Sequence, residues 1–208
     1  MGRCCQRVGV NGLQDCVTVL TVCSELEVKI VNIIDTYRVL YLRDLPKPVK
    51  HLSYDPSGTY LAASCTDGIV YIYSLSTEEP DLFRKVDGLI RGLETESNLS
   101  SRVAWHPDGR AFAAPTATRD VQVLSSGDGE RQRVFAGGHM GDITALAWSP
   151  NGAMLLSASS DRKIVLWDTK TQKILARYPS TGLCGAIFAL TQKQIRIPKR
   201  YQHSMAPS

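Results

Sequence analysis

Three times along the chain a short apolar run ends in a polar turn of proline and glycine, and a second apolar run follows. The first is His51-Leu52-Ser53-Tyr54-Asp55-Pro56-Ser57-Gly58, followed by Tyr60-Leu61-Ala62-Ala63-Ser64. The second is Val103-Ala104-Trp105-His106-Pro107-Asp108-Gly109, followed by Ala111-Phe112-Ala113-Ala114, and the third is Leu146-Ala147-Trp148-Ser149-Pro150-Asn151-Gly152, followed by Met154-Leu155-Leu156-Ser157. Proline presets φ at the second turn position, Asp or Asn bonds back to the backbone, and glycine takes the position with φ > 0. The short apolar runs on either side suit antiparallel strands of a sheet covered on both faces. A third strand is predicted in each unit at Ile69–Tyr73, Val121–Leu124 and Ile164–Trp167, and a fourth near Leu82–Val86, Arg133–Phe135 and Ile174–Tyr178. Upstream, Leu26–Ile33 and Arg38–Arg43 alternate like the last two strands of a preceding unit.

The spacing turns these strands into an architecture. Pro56 to Pro107 spans 51 residues and Pro107 to Pro150 spans 43, against roughly 40–45 for a WD repeat. Four strands in that period is the arithmetic of a propeller blade. The expected fold is therefore all-β, an incomplete WD-repeat β-propeller of about three and a half blades. Its organisation is expected to be an atypical segment over 1–23, the partial propeller over 24–179, and a basic, disordered tail without repeat signal over 180–208. Propellers usually close with more blades than this, so both ends are expected to reflect truncation or gene modelling, or to be the tails of a short product.

The third unit holds the repeat's polar pattern in full: Gly138-His139 before its first strand and Trp167-Asp168 at the end of its third. In this the unit resembles the WD-repeat family, in which a His, a Ser or Thr, an Asp and the Trp form a hydrogen-bond chain that locks the blade. The resemblance implies these roles for His139, Ser157, Asp161 and Trp167, each supplying a donor or acceptor that is costly to bury alone. His139 and Asp161 together also have the composition of a catalytic dyad; the structural lock is the preferred assignment. The other two units are degenerate. The first keeps Asp67 and Tyr73 where the third has Asp161 and Trp167 but has Ala63 for the serine, and the second lacks a tryptophan in its third strand.

Charge and composition narrow the functions. Of 24 basic residues, Lys193, Arg196, Lys199 and Arg200 lie beyond Pro179 with no acid among them, which leaves the preceding body with 20 bases against 20 acids. A neutral body carries no net electrostatic footprint for nucleic acid, although a local patch is compatible with it and direct DNA contact stays open. No apolar run approaches the roughly 20 residues of a membrane helix, and no signal-peptide h-region follows Arg3 and Arg7, so an intracellular protein is expected. Cys4, Cys5, Cys16, Cys23, Cys65 and Cys184 include no C-x-x-C pair and no histidine at zinc spacing, which reads as ordinary reduced thiols. There is no G-x-S-x-G elbow, P-loop, H-E-x-x-H or post-strand G-x-G-x-x-G. No catalytic residue, cofactor, metal or small-molecule substrate is expected. The irregular insert from Thr77 to Ser100 reads as a solvated linker.

A narrower resemblance runs through the middle of the chain. Leu26-Glu27-Val28-Lys29-Ile30-Val31-Asn32-Ile33, Arg38-Val39-Leu40-Tyr41-Leu42-Arg43-Asp44, Thr66-Asp67-Gly68-Ile69-Val70-Tyr71-Ile72-Tyr73, Ser101-Arg102-Val103-Ala104-Trp105-His106-Pro107-Asp108-Gly109-Arg110 and Gly138-His139-Met140-Gly141-Asp142-Ile143-Thr144-Ala145-Leu146-Ala147-Trp148 resemble the N-terminal propeller of the chromosome transmission fidelity / minichromosome loss / septation protein B family, fungal type. The resemblance covers roughly Ser24 to Tyr178. It implies a nuclear replisome adaptor that ties the replicative helicase to DNA polymerase alpha and supports sister-chromatid cohesion, with proteins as partners. The family's second propeller and helical extension are absent from this sequence, so the resemblance carries over only chromatin association and partner docking. The alternative is a generic WD scaffold such as a ubiquitin-ligase substrate receptor. Such receptors often carry Arg two places after the WD pair, where this chain has Thr169-Lys170 after Trp167-Asp168.

Overall fold

The structure, a computed structural model, describes residues 4–9, 18–23, 27–32, 39–42, 45–76, 79–86 and 103–180. Sixteen strands are described: β1 (Cys4–Gly9), β2 (Thr18–Cys23), β3 (Val28–Asn32), β4 (Val39–Leu42), β5 (Val49–Tyr54), β6 (Tyr60–Cys65), β7 (Val70–Ser74), β8 (Asp81–Val86), β9 (Ala104–Trp105), β10 (Ala111–Pro115), β11 (Val121–Ser125), β12 (Arg131–Phe135), β13 (Ile143–Trp148), β14 (Met154–Ser159), β15 (Lys163–Asp168) and β16 (Ile174–Pro179). They form four antiparallel sheets of four sequential strands each, with no helix among the described residues. The first strands of successive sheets touch, β1 with β5, β5 with β9 and β9 with β13. The sheets therefore fan out side by side from a line of inner strands, the arrangement of propeller blades.

Each predicted three-strand core of a repeat appears within a residue or two of its expected place, because the turn chemistry specifies it. Gly58, Gly109 and Gly152 all take positive φ at the end of the Pro-containing turns. Asp55 accepts the Tyr60 N–H at 2.7 Å and Ser149 Oγ accepts the Met154 N–H at 2.9 Å, so the same turn position ties the two strands together in different chemistry.

One expectation is corrected. The sequence pattern sets 1–23 apart from the blades, with half a blade before the first repeat. Instead β1 pairs with β2 from Cys4↔Cys23 to Gly9↔Thr18, and β2 pairs with β3 from Val19↔Asn32 to Cys23↔Val28. The half blade is a full four-stranded sheet. The reason is visible in Thr18-Val19-Leu20-Thr21-Val22-Cys23, a run rich in β-branched residues with strand propensity but without the Pro-Gly turn that marks the other blades. Of the insert, 77–78 and 87–100 lie outside the described residues, as does the tail beyond Ser180.

The core sits between sheets. Strand residues alternate sides, so Ala63, Cys65, Tyr71 and Tyr73 of the second sheet face Val28, Ile30 and Leu42 of the first. From the same strands, Ala62, Val70, Ile72 and Val86 face Val103, Trp105, Phe112 and Leu124 of the third. Ala113, Val121, Val123 and Phe135 of the third then face Leu146, Leu155, Val165 and Trp167 of the fourth. Stability is thus shared between neighbours, as in repeat proteins generally.

Candidate functional site

The four residues singled out by spacing meet in the last sheet. Trp167, near the end of β15, donates its Nε1–H to Ser157 Oγ in the middle of β14 at 2.8 Å. Ser157 Oγ lies 2.7 Å from His139 Nε2, and His139 Nδ1 lies 3.3 Å from Asp161 Oδ2. With the Ser157 hydroxyl donating to Nε2, the histidine carries its proton on Nδ1 toward the carboxylate, and every polar atom in the chain is used. Asp161 also accepts the Met140 N–H at 2.9 Å and the Lys163 N–H at 2.9 Å, so it holds both the approach to β13 and the β14–β15 turn.

Burial makes the arrangement closed rather than reactive. The His139 and Asp161 side chains are 1% and 8% exposed, and Ser157 is fully covered. Burial lowers the His139 pKa below the usual imidazole value, against the opposing pull of Asp161. For Asp161, burial alone would raise the pKa, but the N–H groups of Met140 and Lys163 together with His139 bring it below the ordinary carboxylate range. Neutral imidazole and ionised carboxylate are therefore the resident forms. A catalytic dyad needs an open path to its substrate, and this pair has its donors and acceptors turned inward. Gly138 allows the closure, because a Cβ there would come within 2.2 Å of the Trp167 ring. Phe135 of the preceding sheet covers that ring edge-on at 5.5 Å.

The second sheet solves the same problem with other atoms. Ala63 stands where Ser157 stands in the last sheet and Tyr73 where Trp167 does, as the registers Leu61↔Tyr73 and Leu155↔Trp167 show. Asp67 still accepts the N–H two residues on, from Ile69 at 3.0 Å, but its second oxygen takes the Tyr71 hydroxyl at 3.1 Å. Tyr71 is buried, and burial first, with the Asp67 hydrogen bond behind it, pushes its pKa up to about 12. Burial likewise, with the Asp67 charge, pushes the Cys65 thiol up to about 12, which leaves it a poor nucleophile. In the third sheet Ala114 and Leu124 fill the serine and tryptophan positions, and Thr116 Oγ1 bonds the Asp120 N–H instead.

Between sheets the sequence reading missed a repeated tie. Trp105 Nε1 donates to the Ser53 carbonyl at 3.1 Å, and Trp148 Nε1 donates to the Ala104 carbonyl at 2.9 Å. Ser53 and Ala104 hold the same place in their repeats, so each tryptophan reaches back to the equivalent atom of the previous inner strand. The signal was present, since both tryptophans immediately precede the Pro turn. Trp148→Phe should therefore lower stability by roughly 1 kcal/mol, the value of one such hydrogen bond, read as a shift in urea midpoint at constant slope. No group of three or more His, Cys, Asp or Glu that could hold a metal occurs among the described residues.

The description "WD domain, G-beta repeat" matches residues 41–74 and 129–168. The chain is 31% identical to Minichromosome loss protein 1 of Schizosaccharomyces pombe over 157 residues, 75% of this chain and 19% of that protein. It is 24% identical to human WD repeat and HMG-box DNA-binding protein 1 over 170 residues, 78% of this chain and 15% of that one. The chain thus spans less than a fifth of the length of either relative. Its fold is similar to a chain in the crystal structure of the mitotic checkpoint complex, with a TM-score of 0.64 over 83% of this chain and 53% of that chain at 16% identity. Repeat period, sheet topology and these similarities agree: the chain carries WD-domain, G-beta repeats, folded as blades of a β-propeller.

Proposed function

We propose that this chain is a non-catalytic docking propeller of a nuclear replisome adaptor, one that links helicase and DNA polymerase alpha in DNA replication and sister-chromatid cohesion. The observation that carries the proposal is the similarity to Minichromosome loss protein 1, which runs through 75% of the chain at 31% identity. The similarity to WD repeat and HMG-box DNA-binding protein 1 points the same way. In this reading His139, Ser157, Asp161 and Trp167 are a structural lock. They hold the last sheet rigid so that loops on its rim can present contacts, the usual division of labour between scaffold and loop.

The test is made on the endogenous protein. An antibody raised against residues 139–178 should detect it in nuclear, chromatin-bound extract, and cross-linked precipitates from replicating cells should contain helicase and polymerase alpha subunits. A purely cytoplasmic signal, or precipitates that hold ubiquitin-ligase subunits in place of replication proteins, would overturn the proposal in favour of a generic WD scaffold.

A further inference from the structure

Two clefts open between neighbouring blades on the side of the Pro turns, and they differ in a way the repeat makes readable. Between the second and third sheets, Arg84 of β8 crosses to the β11–β12 turn and donates to the carbonyls of Gly127 at 2.5 Å and Asp128 at 2.6 Å. The turn accommodates it because Gly129 has no side chain, and a Cβ there would lie 3.1 Å from Arg84 Cδ. Ser126 in the same turn spends its hydroxyl on the Gly109 carbonyl at 3.0 Å. In that cleft two nitrogens of the Arg84 guanidinium are held by backbone carbonyls, and the Ser126 hydroxyl by a third.

Register carries each of these positions into the next cleft. Arg84 pairs with Ile72 as Arg133 pairs with Val123, so Arg133 of β12 is the equivalent arginine. The turn it faces, between β15 and β16, has Lys170 where the earlier turn has Gly127. It has Gln172 where the earlier one has Gly129, both at positive φ. The Gln172 side chain starts in the space that the Arg84 arm uses, and the Lys170 ammonium repels a second guanidinium. The clasp is not repeated: Arg133 and Lys170 have no side-chain partner among the described residues. Thr169, equivalent to Ser126, is 5% exposed, and its Oγ1 is buried with no hydrogen-bond partner. All three line one cleft of about 710 Å³ whose wall includes Trp148 and Leu175. Two acids line the same cleft, against the three cations Arg110, Arg133 and Lys170. Asp108 lies 2.7 Å from His106 Nδ1, and Asp168 accepts the N–H groups of Lys170 and Thr171 at 2.8 Å each.

We propose that this cleft between the third and fourth blades binds an acidic segment of a partner protein, with Arg133 and Lys170 taking its carboxylates and Thr169 donating to its backbone or a carboxylate oxygen. Two unspent cations flanking an unspent buried hydroxyl match an anionic chain, and the Trp148 and Leu175 wall suits apolar residues interspersed with the acids.

The test uses the full chain and a fluorescein-labelled ten-residue peptide of alternating glutamate and leucine. Binding is expected by fluorescence anisotropy, weakening as salt rises from 50 to 200 mM. It should fall about tenfold or more in R133E and in K170E, since reversing a charge turns attraction into repulsion. Both side chains lack partners, so the urea midpoints should stay at the wild-type value, and R133Q with K170Q should give intermediate losses. Failure of the peptide to bind, unchanged affinity in both charge-reversed variants, or preference for a duplex DNA oligomer over the peptide would each overturn the proposal.

Discussion

Trp167→Ala should lower the unfolding free energy of this chain by roughly 3–5 kcal/mol, the usual cost of emptying a large aromatic site in a core. The indole is 1% exposed, packs against Phe135 of the neighbouring blade and supplies the N–H that Ser157 accepts. Its removal therefore opens a cavity at the contact between two blades and frees one end of the polar chain. Trp167→Phe separates these contributions. It keeps most of the apolar volume but withdraws the N–H, and should cost roughly 1–3 kcal/mol. Urea unfolding of both variants followed by far-UV circular dichroism measures the difference. Equal losses would mean that the hydrogen bond, not the packing, carries the site; a loss below 1 kcal/mol for the alanine variant would mean the last blade is not cooperatively coupled to its neighbour.

The propeller blades were legible in the sequence because their turns are chemically constrained. A proline, a short polar residue and a glycine at positive φ can be recognised without knowing what they pack against, and so can strands that follow at fixed spacing. His139, Ser157, Asp161 and Trp167 were legible for the same reason: the positions recur with the strands, and in the structure they stand within hydrogen-bonding distance in the expected order. What the sequence hid depends on a neighbour. Tyr71 replaces the serine–histidine arm in the second blade only because its ring lies on the side that faces the first blade, where its hydroxyl reaches Asp67. Arg84 and Arg133 look alike in their strands, and only the opposite turn, Gly127 and Gly129 against Lys170 and Gln172, makes one a clasp and leaves the other unspent. The last two strands of the first sheet were legible, but its second strand was missed because Thr18–Cys23 has strand composition without turn punctuation.

Acidification should weaken the fold below about pH 6.5, and His139 should carry that slope. Folded, its imidazole is held neutral by burial, with the pKa below the ordinary value of 6.5; unfolded, it takes up a proton near that ordinary value. As pH falls past it, the unfolded chain binds the proton first, so stability declines and continues to decline until the folded pKa is passed. The geometry explains why the proton is unwelcome. Nε2 now accepts from Ser157, and Ser157 already accepts from Trp167. A protonated ring would present a second donor to the same oxygen and force the serine hydroxyl to turn away in a buried site. Asp161 adds a further loss only at more acid pH, because its folded pKa lies below the ordinary 3.8 and its contribution disappears as it becomes protonated. Each unit by which the His139 pKa is lowered corresponds to about 1.4 kcal/mol. The urea midpoint of the wild-type chain should therefore fall between pH 7 and pH 5. In His139→Asn the chain starts less stable, but the midpoint over that interval should be much flatter. An identical pH slope in both proteins would show that the proton is taken up elsewhere, and that the buried histidine, for all its hydrogen bonds, does not link the fold to pH.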